Sequence, residues 1–376
     1  MRKPFRTAIK RTRAAALLLL LSASAWAQSD KVDDYVRAEM RQRHIPALAL
    51  AVIRDGKVVK EKAYGSANLE LRIPATTETG FQVASVTKLF TATAIMSLVE
   101  EGKISPDDKI RRLLPGLPAR WGNVTVRHLL THTSGLPDVS LGEDTDAVIA
   151  ETRPEALKKL PFMPLTARPG ASWSYNQTGY MLLGMIIEKV SGKSYEDFMR
   201  DRFFHPLGMG STSFGDSREV IPGRASGYTR FERQTKPEVS PDRVWNYQNI
   251  FPSYLNNAAG LNTTAADLAK WDIALSEGKI LKQPTLDRMW TTVRLNNGKP
   301  FRLDGTLGYG YGWLVDDTPH HKAVGHSGGA SSAYIRYLDD KISVIVLTNC
   351  QGADPETIIF DIAALYAPAL APGDKS

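Results

Sequence analysis

The sequence predicts an α+β fold: one antiparallel sheet built from the two ends of the chain, helices on its faces, and a mainly helical lobe inserted between. Three observations lead there. Strand-like runs gather near residues 48–65 and again after residue 309, helical patterns fill the middle, and 376 residues are enough for one large core. The expected domain is 28–376, with sheet mainly in 28–80 and 285–376 and helices with loops in 81–284. No internal repeat is present.

Residues 1–27 stand outside that fold. A basic start, "MRKPFRTAIKRTR", runs into the apolar "AAALLLLLSASA" and then "AWA" ending at Ala27. That is the pattern of a secretory signal peptide. Its apolar run is shorter than the ~20 residues a spanning helix needs, so the expectation is a periplasmic or secreted protein with no stable membrane anchor after cleavage. Six Lys or Arg and no Asp or Glu lie in this segment, so the formal charge of +7 becomes +1 once it is removed. The basic balance belongs to the targeting peptide, and nothing electrostatic calls for a nucleic acid partner. Cys350 is the only cysteine, which rules out an intramolecular disulfide. Following the strand-like "KISVIVLTN", it reads as a small buried residue.

The mature chain opens with "LALAVIRDG" (48–56) and "KVVKEKAYG" (57–65), two strand candidates joined through Asp55-Gly56, a strong hairpin signal. Next comes "FQVASVTKLFTATAIMSLVEEGKIS" (81–105), whose positions from Leu89 to Val99 are almost all apolar or small. Such a helix is enclosed by protein on most sides. "SPDD" (105–108) offers a serine cap with proline at the first helical position. Further helices are expected at "TVRHLLTHTSGLP" (125–137), "TGYMLLGMIIEKVSG" (178–192), "SYEDFMRDRFFHPLG" (194–208, capped by Ser194 with Asp197) and "TTAADLAKWDIALSEGKIL" (263–281). Residues 209–259 are polar and rich in Pro and Gly. Strands return in "YGYGWLVDD" and "HKAVGHSGGASSAYIRYLDDKISVIVLTN", a helix spans about 355–366, and 367–376 reads as a frayed tail.

Lysine rarely sits in an apolar helix, because burying an unpaired ammonium is expensive. Lys88 and Ser85 are three apart, on one face. The unpaired N–H groups at the helix start suit a developing oxyanion, and desolvation pushes the lysine pKa toward a value useful for a general base. An adjacent base turns a serine hydroxyl into a good nucleophile. The plainer alternative is a helix cap at Ser85 and a lysine that snorkels to the surface. A second Ser-x-x-Lys, Ser276 to Lys279, ends a helix at Gly278 and should lie in water.

Two further stretches bear on this pair. "PGASWSYNQTGYMLLG" (169–184) puts Tyr175, Asn176 and Gln177 just before a buried helix, where a tyrosine beside a lysine can relay a proton if the ammonium lowers its pKa. A packing tyrosine is the alternative. In "GHSGGASSAYIRY" (325–337), glycines beside a strand let another backbone approach. The N–H groups of Gly329 and Ser85 would then make an oxyanion hole. His326 and Ser327 would face substrate, or His326 would be a structural histidine. His128 and His132, four apart, are expected to pack and hydrogen-bond beneath the cleft rather than bind a metal. His320 and His321 should face solvent.

Taken together, "SVTK" (85–88), "YNQ" (175–177) and "HSG" (326–328) resemble the three signature elements of penicillin-recognising serine hydrolases. "LLTHTSGLP", "GYMLLGMIIEKVSG", "NNAAGLNTTAADLAKW" and "GYGYGW" resemble the branch holding class C β-lactamases, D-alanyl-D-alanine carboxypeptidases, D-aminopeptidases and β-lactamase-like esterases. The likeness runs from about residue 31 to 365. It implies the β-lactamase/transpeptidase-like fold, Ser85 as acylated nucleophile, Lys88 as its activating partner and Tyr175 as proton relay. It also implies an oxyanion hole of Ser85 and Gly329 N–H groups, and substrate contacts from Asn176, Gln177, His326, Ser327 and Gly328. No cofactor or metal is called for; the substrate would be a small ester, amide or short peptide. Two departures tilt the expectation toward an esterase or small-peptide hydrolase over a β-lactamase or carboxypeptidase. Gln177 stands where asparagine is usual, and His326 where β-lactamases have lysine. Tyr228, Trp245, Tyr247 and Phe251 either wall an apolar acyl or aryl group or only cover the lobe. A non-catalytic binder of peptidoglycan-like peptides is the competing reading.

Overall fold

The computed structural model describes residues 31–139, 152–159, 162–215, 219–231, 243–248, 251–318 and 321–371. The signal segment, His320 and residues 372–376 lie outside them. In chain order the strands are β1 (Ala47–Arg54), β2 (Lys57–Asn68), β3 (Ile73–Pro74), β4 (Phe81–Gln82), β5 (Ser213–Phe214), β6 (Tyr228–Thr229) and β7 (Trp245–Asn246). They continue with β8 (Leu261–Thr263), β9 (Gly308–Tyr309), β10 (Leu314–Asp316), β11 (Ala323–Gly328), β12 (Ser332–Tyr337), β13 (Ile342–Thr348) and β14 (Cys350–Gln351). Eight of them form the main sheet, in the order β3-β2-β1-β13-β12-β11-β10-β9. Neighbours pair antiparallel throughout, so the two ends of the chain meet where β1 lies against β13. The expected α+β architecture is the observed one.

The β1–β2 hairpin turns at Asp55 (φ 50°) and Gly56 (φ 72°), both in the left-handed region that a tight two-residue hairpin requires. Alternation along β1 sends its side chains to two cores. Ala47, Ala49, Ala51 and Ile53 face the helical lobe with Ile345 and Leu347 of β13. Leu48, Leu50 and Val52 face the opposite layer, where Val32 and Val36 of the helix 31–42 meet Ile358, Ile359 and Ile362 of the helix Pro355–Tyr366. Being covered on both faces explains why β1 and β13 read as nearly continuous apolar runs.

Inside the lobe, the helix Thr87–Glu100 is buried from Thr87 through Leu98. Two of its hydroxyls are satisfied locally, Thr93 donating to Leu89 O at 2.7 Å and Ser97 to Ala94 O at 2.8 Å, while Thr91 donates across to Asn257 O at 2.6 Å. Small Ala and Thr side chains let Gln177–Ser191 and Asn256–Ala259 pack close beside it.

Several boundaries differ from expectation. "SPDD" starts no helix; Lys109 bridges to Thr125 in extended geometry, and the helix begins only at Ile110. Ser105 N–H instead bonds Asp108 Oδ2 at 2.8 Å. The 125–137 segment is helical only over Val126–Leu130, because His132 takes φ 57°. In 194–208, Tyr195–Met199 passes into a wider π turn at Arg200–Phe204. The tail expected to fray makes a tight turn at Pro368–Leu370. His321, expected in water, is half-buried with Nδ1 3.0 Å from Asp340. Cys350 is buried, and desolvation lifts its thiol to about 12.

Candidate active site

Ser85 occupies a short 3-10 turn, Ala84–Val86, immediately before the buried helix. Ala84 takes φ 44°, uncommon for a residue with a side chain, so the backbone bends sharply just ahead of the serine. Three contacts clamp the bend. Val83 N–H donates to Leu261 O at 3.0 Å, Thr87 Oγ1 donates to Ala84 O at 2.6 Å, and Leu261 N–H donates back to Thr87 Oγ1 at 3.1 Å. β11 arrives alongside: a Cβ on Gly328 would lie 2.2 Å from Val83 O and 2.8 Å from the Ser85 nitrogen. Glycine is required there by close approach.

Lys88 is fully buried. Its Nζ lies 3.4 Å from Ser85 Oγ, 2.9 Å from Gln177 Oε1 and 2.9 Å from Ala258 O. Desolvation pushes its pKa down to about 7, with the Asp138 carboxylate pulling weakly the other way. The rings of Tyr175 and Tyr180 flank the amine, their centroids 4.8 and 5.3 Å from Nζ. The second Ser-x-x-Lys behaves as expected: Gly278 takes φ 67°, and exposed Lys279 pairs with Glu277.

The Tyr175 hydroxyl is buried and closes no hydrogen bond of ordinary geometry, while Ser85 is near enough to ease its ionisation slightly. Burial dominates and raises its pKa. This corrects the expectation that a neighbouring ammonium would lower it: the amine beside it is itself desolvated.

The remaining predicted residues divide. Gln177 turns its amide oxygen onto Lys88; a substrate carbonyl would be met by its Nε2 donors, which this bond does not occupy. Asn176, expected to touch substrate, caps the helix Gln177–Ser191: its Oδ1 accepts from Gly179 N–H at 2.8 Å and its Nδ2 donates to Leu136 O at 2.9 Å. His326, expected either to face substrate or to be a structural histidine, is buried with Nδ1 2.6 Å from Ser327 O and Nε2 3.4 Å from the Tyr309 hydroxyl. Desolvation, with the Lys88 amine beside it, takes its pKa down to about 3, so it is neutral. Ser327 and Gly329 are half-buried. Gly329 takes φ 59°, and the Gly328 carbonyl before it is held by Ser331 N–H at 3.1 Å and Ser332 Oγ at 3.2 Å. An N–H points away from the carbonyl of its own peptide plane, so the Gly329 N–H faces away from those partners.

A family model described as "Beta-lactamase" matches residues 32–367. The chain belongs to the beta-lactamase family. Penicillin-binding protein 4* of Bacillus subtilis is 34% identical over 308 residues, covering 78% of this chain and 66% of that protein. The chain thus spans just under two thirds of that relative's length. Among solved structures, the octameric penicillin-binding protein homologue from Pyrococcus abyssi superposes with a TM-score of 0.76 at 32% identity, covering 90% of this chain and 77% of that one. The D-amino acid amidase from Ochrobactrum anthropi SV3, complexed with L-phenylalanine amide, gives a TM-score of 0.76 at 27% identity, covering 91% and 99%.

For this family member, sequence reasoning missed three contributors to the site. Ala258 lends a carbonyl to Lys88, Asp138 accepts the Gln177 N–H at 3.0 Å, and Tyr309 joins two histidines. "NNAAG" and "GYGYGW" were visible signals, but no local pattern ties them to position 88. A groove of about 610 Å³ is lined by Gln82, Ser331, Tyr228 and Tyr247 among others, and by none of Ser85, Lys88, Tyr175 or His326. Tyr228 and Tyr247 line this groove, whereas Trp245 is exposed and, like Phe251, is not part of the lining.

Proposed function

We propose that this chain is a serine hydrolase that forms an acyl-serine from a small ester, amide or short peptide and releases it to water. One observation carries the reading, the proton inventory at Lys88. A neutral amine has two N–H groups and one lone pair. Gln177 Oε1 and Ala258 O each accept an N–H at 2.9 Å; Ser85 Oγ at 3.4 Å accepts the third N–H of the charged form, and in the neutral form that place falls to the lone pair, which can take the Ser85 hydrogen. With a pKa near 7, much of that amine is uncharged at neutral pH.

In the proposed cycle, Ser85 Oγ attacks the acyl carbon as Lys88 takes its proton. The carbon to leaving-group bond breaks, and the leaving group receives a proton through Tyr175, which works as a neutral phenol because burial disfavours its anion. The N–H groups of Ser85 and Gly329 stabilise the oxyanion. Water then attacks the acyl-serine, giving the carboxylic acid and free Ser85. Similarity to an amidase and to penicillin-binding proteins supports small acyl donors. Esters and small amides are favoured over β-lactams because His326 is uncharged and buried, a poor partner for a substrate carboxylate.

The test is a panel of short p-nitrophenyl esters, a D-amino acid amide, D-Ala-D-Ala peptides and a chromogenic cephalosporin, with Ser85→Ala beside the wild type. Ester or amide turnover that vanishes in Ser85→Ala, with a mass adduct on Ser85 from a slow donor, is expected. Full activity in Ser85→Ala would overturn the mechanism, and fast cephalosporin turnover would overturn the substrate preference. Binding of peptides without any turnover would favour a non-catalytic binder.

A further inference from the structure

Beside Lys88 lies a set of buried polar groups that none of the steps above uses. His132, Tyr309 and His326 come from three separate places: the turn after the helix Val126–Leu130, β9 and β11. All three are buried. His132 Nε2 is 3.1 Å from the Tyr309 hydroxyl, which is 3.4 Å from His326 Nε2.

Backbone groups at both ends of this row fix the two ring protons. Asn176 N–H can only donate, and it lies 3.1 Å from His132 Nδ1, so that nitrogen is bare and the hydrogen sits on Nε2. Ser327 C=O can only accept, and it lies 2.6 Å from His326 Nδ1, so that nitrogen carries the hydrogen and Nε2 is bare. Tyr309 therefore accepts from His132 and has its hydrogen for His326, with the Tyr180 hydroxyl, which itself donates to Leu130 O, as a second acceptor within reach. The two histidines hold opposite tautomers, and the bonds run one way, from the loop carrying Tyr175 to the strand carrying Gly328. His132 also packs its ring 4.4 Å from that of Tyr175, centroid to centroid.

We infer that Tyr309 and His132 are positioning residues that hold the Tyr175 loop in register with the β11 strand against which Ser85 is set. The inference rests on the reading of Ser85, Lys88 and Tyr175 as the reacting groups. Removing the Tyr309 hydroxyl leaves one buried N–H and one buried ring nitrogen unpaired, one on each side of the cleft, and both elements lose their tie. If Tyr309 only filled space, a phenylalanine ring would serve as well.

Three measurements on the mature enzyme test it. Tyr309→Phe should lower kcat for a short ester by about 10- to 100-fold, the scale of a misplacement near 1 Å, with KM within about twofold. His132→Gln should act alike, and the double variant should be little worse than either single one, because each breaks the same chain. Nitrogen-15 spectra of the wild type should show His132 bare at Nδ1 and His326 bare at Nε2. Wild-type kcat in Tyr309→Phe, additive losses in the double variant, or both histidines in one tautomer would each overturn the inference. The tautomers are read on wild-type protein without substrate, so they decide the matter even if a variant fails to fold. Activity surviving in Ser85→Ala would instead count against the catalytic reading.

Discussion

Replacing Lys88 with methionine should abolish turnover and yet alter stability in a direction that depends on pH. The amine titrates near 7 in the folded protein, against 10.5 in an open chain. Between those values the unfolded chain holds the proton and the folded one does not, so wild-type stability rises with pH across this window. Below the window both states are protonated and the folded protein bears the full cost of a buried ammonium. At about 1.4 kcal/mol for each pH unit, wild type should gain about 4 kcal/mol relative to Lys88→Met between pH 6 and pH 10. Methionine fills the volume but leaves Gln177 Oε1 and Ala258 O without a donor, at about 1–3 kcal/mol each. The variant should therefore match or exceed wild type at pH 6 and fall below it at pH 10. Urea midpoints at five pH values would read this. Parallel curves for the two proteins would refute the claim that the amine is desolvated.

Other outcomes follow from the same geometry. Asp272→Ala should destabilise the fold by about 3–5 kcal/mol, seen as a lower urea midpoint, because Arg336 Nη1 (3.2 Å) and the Tyr334 hydroxyl (2.6 Å) lose their buried carboxylate. Gly328→Ala would drive a Cβ into Val83 O and toward the Ser85 nitrogen; Ser85 acylation, followed by mass adduct, should slow by about 100-fold. Expression with export should yield a chain beginning at Gln28, checked by intact mass, and retention of residues 1–27 would contradict the signal reading.

Much of this fold was legible because its strongest signals are local. Asp55-Gly56 announces a hairpin whatever surrounds it, and Gly192 and Gly278 stop helices where expected. Lys88 stood out because a lysine inside an apolar helix needs a reason. What stayed hidden depends on partners far along the chain. "SPDD" carries every local mark of a helix start, yet the pairing of Lys109 with Thr125 overrides it. Asn176 was expected to touch substrate and His326 either to do so or to be a structural histidine; the contacts that bury them come from Leu136, Tyr309 and His132. Gln177 was read by analogy of position, and only the fold shows its amide turned onto Lys88.

The rate at which Ser85 is acylated by a neutral ester, followed by rapid mass analysis across pH, tests the central claim most directly. A general base must be deprotonated to act, so the rate should climb through a midpoint near pH 7 and level off above it. A midpoint close to 10, or acylation that persists unchanged in Lys88→Met, would contradict an uncharged lysine as the activating group.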